Sequence, residues 1–373
     1  LLLFAQHKRK YLSLSFVVAA SPPQRMKETF LSTLPQVEDS QTGFETILMK
    51  AVVTGGNGFI GRYIVEQLLA RGDKVRVIGR QHYPELEALG VSCFPIDLST
   101  QQSCAAALRG CDVVFHVAAK AGVWGPAAEY YRNNVTATQH ILRETMRAEV
   151  PKFVYTSTPS VVFGEESVEG ADESQPYPPR YLAPYSFTKA LAERTVLACR
   201  DVLTVAIRPP IVWGPRDAHI LPRLISRARA GRLVQIGDGS NRVDITYVEN
   251  AAAAHLLAAD RLSAHSPLRG QAYFIGQEEP VYVWEFINHL IGLAGLEPIR
   301  RSISLSTALR IAGTLETVYR LFNLPGEPPL TRLTVTQLAR SRWFDLRAAR
   351  RDLGYNPHIS TEEGLRRTVA AMS

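Results

Sequence analysis

The chain has 373 residues, 46% hydrophobic and 21% charged. That balance excludes wholesale disorder, and the length suffices for a core without disulfides or a structural metal. The net charge is +7, with twelve Arg against seven Asp or Glu from Glu297 onward, yet no nucleic-acid motif accompanies it and no apolar run approaches a membrane span.

Residues 1–48 differ from the rest. His7-Lys8-Arg9-Lys10 precedes a short apolar stretch, Tyr11 to Ala20, in the manner of a targeting leader. Pro22 to Glu45 has no sustained apolar period and reads as disordered. Because a strand opens directly after Met49, Met49 is the expected functional start, with a leader as the alternative. From there strands and helices alternate. Strands are predicted at Lys50–Thr54, Lys74–Ile78, Val91–Ile96, Asp112–Val117, Lys152–Thr156 and Val202–Ile207. Helices are predicted at Phe59–Ala70, Tyr130–Ala148 and Tyr185–Cys199. This alternation predicts an α/β, Rossmann-type doubly wound parallel sheet over 49–212. Beyond Trp213 the pattern turns mixed, which predicts a smaller substrate lobe over 213–373, interleaved with the first part. The four cysteines (Cys93, Cys104, Cys111, Cys199) form no C-x-x-C pair, arguing against a disulfide framework and for a reducing, cytoplasmic location.

Thr54 to Gly61 reads T-G-G-N-G-F-I-G, with Gly55, Gly58 and Gly61 at G-x-x-G-x-x-G spacing between the first strand and first helix. There the backbone must turn tightly and approach a pyrophosphate, and the helix N-terminus offers free N–H groups. A structural turn is the competing reading. The second strand ends Ile78-Gly79-Arg80, with no acidic residue for a ribose 2′-hydroxyl. Arg80 suits a 2′-phosphate, which favours NADP(H) over NAD(H). Asp97, after the third strand, is placed either to contact adenine or to cap a helix, a role Ser99 could also fill.

Tyr185-Ser186-Phe187-Thr188-Lys189 is a Y-x-x-x-K, whose first and last residues share a helix face. A lysine ammonium near the phenol is expected to lower its pKa toward neutrality. Thr156-Ser157-Thr158-Pro159-Ser160 follows the fifth strand, where ligands of such sheets bind, and its hydroxyls can polarise a carbonyl.

T-G-G-N-G-F-I-G, Asp97-Leu98, His116-Val117-Ala118-Ala119, the hydroxyl cluster and Y-S-F-T-K occur in order, and together they resemble an extended short-chain dehydrogenase/reductase. The likeness runs from Met49 to the C-terminus and includes Arg208 to Pro215, similar to the family's nicotinamide-lining segment. Tyr155 to Phe163 resembles the sterol-4α-carboxylate 3-dehydrogenases of the 3β-hydroxysteroid dehydrogenase-like branch. Ala118–Gly125, Gly237–Val248 and Leu324–Arg332 look like the 2-alkyl-3-oxoalkanoate reductases of bacterial olefin biosynthesis. The resemblance implies cofactor contacts from Gly55, Gly58, Phe59, Ile60, Gly61, Arg80, Asp97, Leu98, Ala118, Ala119, Pro209 and Val212. It implies Tyr185 as proton donor, Lys189 on the nicotinamide ribose, and Thr158 or Ser157 on the substrate oxygen. The implied substrate is lipid-like, a long 2-alkyl-3-oxo acid or a sterol. Lys120, Arg216 and His219 are candidate carboxylate contacts, and Trp124, Tyr130 and Tyr181 candidate pocket walls. The stripe Leu305, Leu309, Ala312, Leu315, Tyr319, Phe322 reads first as core, then as a lid or membrane-surface helix. Sugar-nucleotide epimerase, non-catalytic nucleotide sensor, peripheral membrane contact and homo-oligomer remain alternatives.

Overall fold

The β-branched runs at 50–54, 113–116 and 152–156 are buried on both faces, which is how strands covered by helices on either side must read. The computed structural model describes residues 48–218 and 220–372, so the expectations for the leader and for His219 lie outside the described residues. Strands β1 (Lys50–Thr54), β2 (Lys74–Gly79), β3 (Ser92–Pro95), β4 (Val113–His116), β5 (Lys152–Thr156), β6 (Leu203–Arg208) and β7 (Gln271–Phe274) form one sheet. All pairings are parallel, in the order β7-β6-β5-β4-β1-β2-β3. The order reverses between β1 and β4, so the loops leaving those two strands diverge and open a crevice at their C-terminal ends. In register there, Thr54 lies beside Ile78 and His116, and His116 beside Tyr155.

Helix α1 (Phe59–Ala70) ends where expected, with Gly72 at φ +90°. The long helix α2, which two single-turn helices precede, differs from the uninterrupted Tyr130–Ala148 expected. It is α-helical over Ala127–Tyr130, a π-helix over Tyr131–Thr136, and α-helical again over Ala137–Arg147. The extra residue per turn has a local reason: it seats the buried Asn134 side chain against the Lys120 backbone and Thr188. Helix α3 (Pro184–Ala198) opens with proline in its first turn. Then follow α4 (Ile220–Arg229), α5 (Val248–Arg261), α6 (Val283–Leu293), α7 (Leu305–Leu321) and α8 (Arg332–Ala339).

Alternate strand residues feed two cores. On one face Val53, Val77, Phe115 and Val154 pack with α1 and α5. On the other Val52, Val114, Phe153 and Tyr155 pack with α2 and α3. The lobe has its own centre around Trp213, Tyr247, Trp284, Ala308, Ala312 and Val335. The boundary at 212 is crossed twice, since α5 covers the main sheet and β7 extends it beside β6. Strand β7 has no counterpart among the expected strands, because four residues opening on Gln carry too short a pattern. Of the α7 stripe, Ala312 is buried and Leu305 and Leu309 pack against the lobe core, but Phe322 is exposed.

Candidate active site

The glycine loop is fixed by what a side chain would strike. Gly55 has φ +68°, and a Cβ there would meet the Ala118 backbone at 2.9 Å. A Cβ on Gly61 would lie 2.2 Å from the Gly55 carbonyl oxygen. That oxygen already accepts the Gly58 N–H at 2.8 Å. The start of α1 carries no side-chain cap and no acid in its first turn, so its N–H groups are free to meet an anion. Phe59 and Ile60 shape this turn from the helix side, half-buried against the main core. Gly61→Ala is expected to destabilise the fold by about 1–3 kcal/mol through overpacking. It should also abolish dinucleotide binding, as read by thermal unfolding and calorimetric titration.

From this loop a chain of hydrogen bonds crosses to the helix bearing Tyr185, and its directions are forced. The Thr138 hydroxyl donates to the Asn134 carbonyl at 2.6 Å, so it must accept from His116 Nε2 at 2.9 Å. His116 Nδ1 then accepts from the Thr54 hydroxyl at 2.7 Å, and Thr54 Oγ1 receives the Val117 and Ala118 N–H groups. Burial pushes the His116 pKa down to about 3, so the ring stays neutral. Asn134 accepts the Lys120 N–H with Oδ1, while its amide donates to Lys120 O and Thr188 Oγ1. Neither His116 nor Asn134 was a candidate site residue in the sequence; each is recognisable only once both its partners are in place.

Tyr185, Lys189 and Glu193 occupy successive turns of one face of α3. Burial pushes the Tyr185 phenol up to about 12, the Thr158 hydroxyl pulls it down, and Tyr130 raises it further. The expectation that Lys189 lowers this pKa is therefore corrected. The Lys189 ammonium is turned away, donating to the Thr156 carbonyl at 2.5 Å, with its nitrogen 4.1 Å from the centre of the Tyr155 ring. Burial lowers Lys189 to about 7, opposed by the negative charge of Glu193. Glu193 is fully buried and held by Arg208 through two bonds of 2.9 and 2.7 Å, and it also accepts the Tyr177 hydroxyl at 2.7 Å. Behind Lys189, His255 Nδ1 donates to the Ala251 carbonyl, which leaves Nε2 to accept from Thr156 Oγ1 at 2.8 Å. Ser157 and Thr158 leave the strand in opposite directions. Thr158 neighbours the phenol and caps a short helical turn, whereas Ser157 Oγ is buried without a hydrogen-bond partner.

Residues 52–306, which hold the glycine cradle, Thr158, Tyr185 and the buried Lys189, match the family model of the 3-beta hydroxysteroid dehydrogenase/isomerase family. The chain belongs to that family. It is 45% identical to the 2-alkyl-3-oxoalkanoate reductase of Stenotrophomonas maltophilia, over 87% of this chain and 99% of that one. With the protein of the same name from Shewanella oneidensis it is 41% identical, over 89% of each. Among solved structures it is similar to MoeE5 in complex with UDP-glucose and NAD (28% identity, TM-score 0.67, covering 87% of this chain and 98% of that one). This member of the 3-beta hydroxysteroid dehydrogenase/isomerase family is an NAD(P)-dependent oxidoreductase acting on CH–OH groups. The residues fit such a cofactor, since the cradle is one that a Cβ at Gly55 or Gly61 would fill.

The other candidates divide. Ala118 and Ala119 follow β4 at the crevice, and Pro209 and Val212 follow β6, with Val212 paired to Thr246. Arg80 is exposed beyond β2. Asp97 itself caps the turn, accepting the Ser99 N–H at 2.9 Å, so the capping role falls to Asp97 and not to Ser99. The Ser99 hydroxyl first and its N–H second, with help from Arg80 and Arg132, hold the Asp97 carboxyl below the usual range against its partial burial, and Leu98 behind it is buried. Two of the carboxylate candidates are paired within the protein. Arg216 is engaged by both Glu66 oxygens at 2.8 Å and lies over the Tyr63 ring. Lys120 donates to Glu129 at 3.1 Å. Each cation thus already has its carboxylate. Trp124 meets Tyr319 of α7 edge-on at 6.4 Å, Tyr130 donates to the Trp124 carbonyl, and Tyr181 donates to the Val161 carbonyl.

Proposed function

We propose that this enzyme reduces 2-alkyl-3-oxoalkanoic acids to the 3-hydroxy acids, with NADPH as reductant. The substrate class rests on one observation, the 45% identity to a reductase of that name across nearly its whole length. The site residues support the chemistry. The bound nicotinamide nucleotide supplies a hydride to the ketone carbon. Tyr185, whose phenol keeps its proton at neutral pH, gives that proton to the developing alkoxide, turning C=O into CH–OH. Thr158 donates a hydrogen bond to the same oxygen. Lys189 holds the nicotinamide ribose. Gly55, Gly58 and Gly61 seat the pyrophosphate. The compartment we propose is the cytoplasm.

The preference for NADPH rests on Arg80, exposed at the end of β2 where no acidic residue stands. Arg80→Ala should weaken NADPH binding about tenfold or more and NADH little, because only the phosphate accepts a charge-assisted bond. Equal losses in a fluorescence titration of both cofactors would remove Arg80 from that role.

The substrate is tested by following cofactor oxidation with a synthetic 2-alkyl-3-oxo acid, a 3-ketosteroid and a UDP-sugar. Apparent affinity for the acids should rise with chain length, by about 0.8 kcal/mol per buried methylene, and then level off. Turnover of the steroid with none of the acids would transfer the assignment to a hydroxysteroid dehydrogenase.

A further inference from the structure

The two most exposed large apolar side chains of the lobe, and a third beside them, sit at the end of α7. Leu321 is 74% exposed, Phe322 67% and Leu324 40%. Asn323 among them takes φ +45°, and Leu324 N–H donates to the Tyr319 carbonyl at 3.0 Å, a left-handed helix end that fixes these side chains on one tip. The following loop is strapped to α4, where Arg223 pairs with Glu327 and Arg227 donates to the Pro329 carbonyl at 2.8 Å.

The surroundings of the tip are strongly cationic. Residues 220–232 hold four Arg and no acid, and residues 305–332 hold three Arg against Glu316 and Glu327. These two segments carry +5 of the chain's net +7. Both glutamates are already engaged, Glu316 by Arg332 at 2.9 Å and Glu327 by Arg223. The tip also joins the active site. Tyr319 and Arg320 pack on Trp124, whose carbonyl receives the Tyr130 hydroxyl, and Tyr130 acts on the Tyr185 phenol.

We infer that the tip of α7, with the arginines of α4 beside it, docks on an anionic bilayer surface from which the apolar substrate reaches the site past Trp124. The inference rests on the lipid-like substrate proposed above. Apolar side chains that enter the acyl boundary and arginines that meet lipid phosphates are the two signals such attachment needs. A protein partner with a carboxylate-rich rim would fit the charge but gives Leu321 and Phe322 no specific pocket.

The test is co-sedimentation of the full-length protein with vesicles of phosphatidylcholine alone or in equal mixture with phosphatidylglycerol. The protein should bind the mixed vesicles, bind the neutral ones weakly, and be released by salt. Leu321→Ser/Phe322→Ser and Arg229→Gln/Arg232→Gln, the latter pair exposed and outside the strap, should each lower binding about tenfold or more. Turnover of a short, water-soluble 2-alkyl-3-oxo acid should be unchanged in both variants. That measurement separates the docking surface from the proposed reaction, because the reaction can fail while docking holds, and the reverse. Wild-type protein left in the supernatant with mixed vesicles would overturn the inference. So would unchanged binding of the Leu321/Phe322 variant, or a loss of self-association in that variant with no change in vesicle binding.

Discussion

Tyr185→Phe should lower turnover by about 10²–10⁴-fold while leaving cofactor affinity near that of the wild type. The substitution removes one oxygen and keeps the ring that packs at the start of α3. Because burial holds the phenol near 12, the wild-type tyrosine is the protonated acid throughout the neutral range, and its own titration sets no limb of the pH profile there. Beside Tyr185, the group that does titrate there is Lys189, at about 7. If the ammonium is required, kcat/KM falls as pH rises through that value. Stability runs the other way. Between the folded value of about 7 and the unfolded value near 10.4, the unfolded chain binds a proton the folded chain has lost, so this group adds stability as pH rises. Opposite slopes of activity and of denaturation midpoint across that window would be the signature of Lys189. Near wild-type turnover in Tyr185→Phe would remove the phenol from the chemistry.

Glu193→Gln should have the largest effect on stability, a loss of about 3–5 kcal/mol, because Arg208 would be left as an uncompensated buried charge. Glu193 accepts two buried bonds from Arg208 and a part-buried one from Tyr177. Glu193→Leu/Arg208→Met removes both charges and should recover most of that loss, as read by chemical denaturation. The double variant also isolates a second role. Glu193 is the group that opposes the burial of the Lys189 ammonium. Without it, the alkaline limb of kcat/KM should move to lower pH. A limb that stays in place in a folded, active double variant would restrict Glu193 to packing.

The parallel sheet and the glycine cradle were legible because they depend on local patterns. The runs at Lys50–Thr54 and Lys152–Thr156 coincide with strands, and the spacing of Gly55, Gly58 and Gly61 meets real steric limits. What could not be read were relations across the chain. Glu193 gains its role from Arg208 on another element. His116 is assigned a tautomer only by Thr54 and Thr138. Lys120 and Arg216 looked like free cations because Glu129 and Glu66 could not be placed against them beforehand. The Y-x-x-x-K spacing gave the shared helix face, but not that the Thr156 carbonyl would draw Lys189 beneath Tyr155.

Strand β7 reaches back from residue 271 to pair with β6, which closes some sixty residues earlier. A fragment ending at residue 212 would therefore leave the whole β6 edge without its neighbour, a row of open N–H and C=O groups that invites intermolecular pairing. It would also strip α5 from the core it shares with α1 and expose Val53, Ile64 and Leu68. The nucleotide-binding half is not a transplantable module in this protein. Recombination of substrate lobes between relatives would have to exchange segments on either side of residues 248–274 and leave those residues with the sheet they complete.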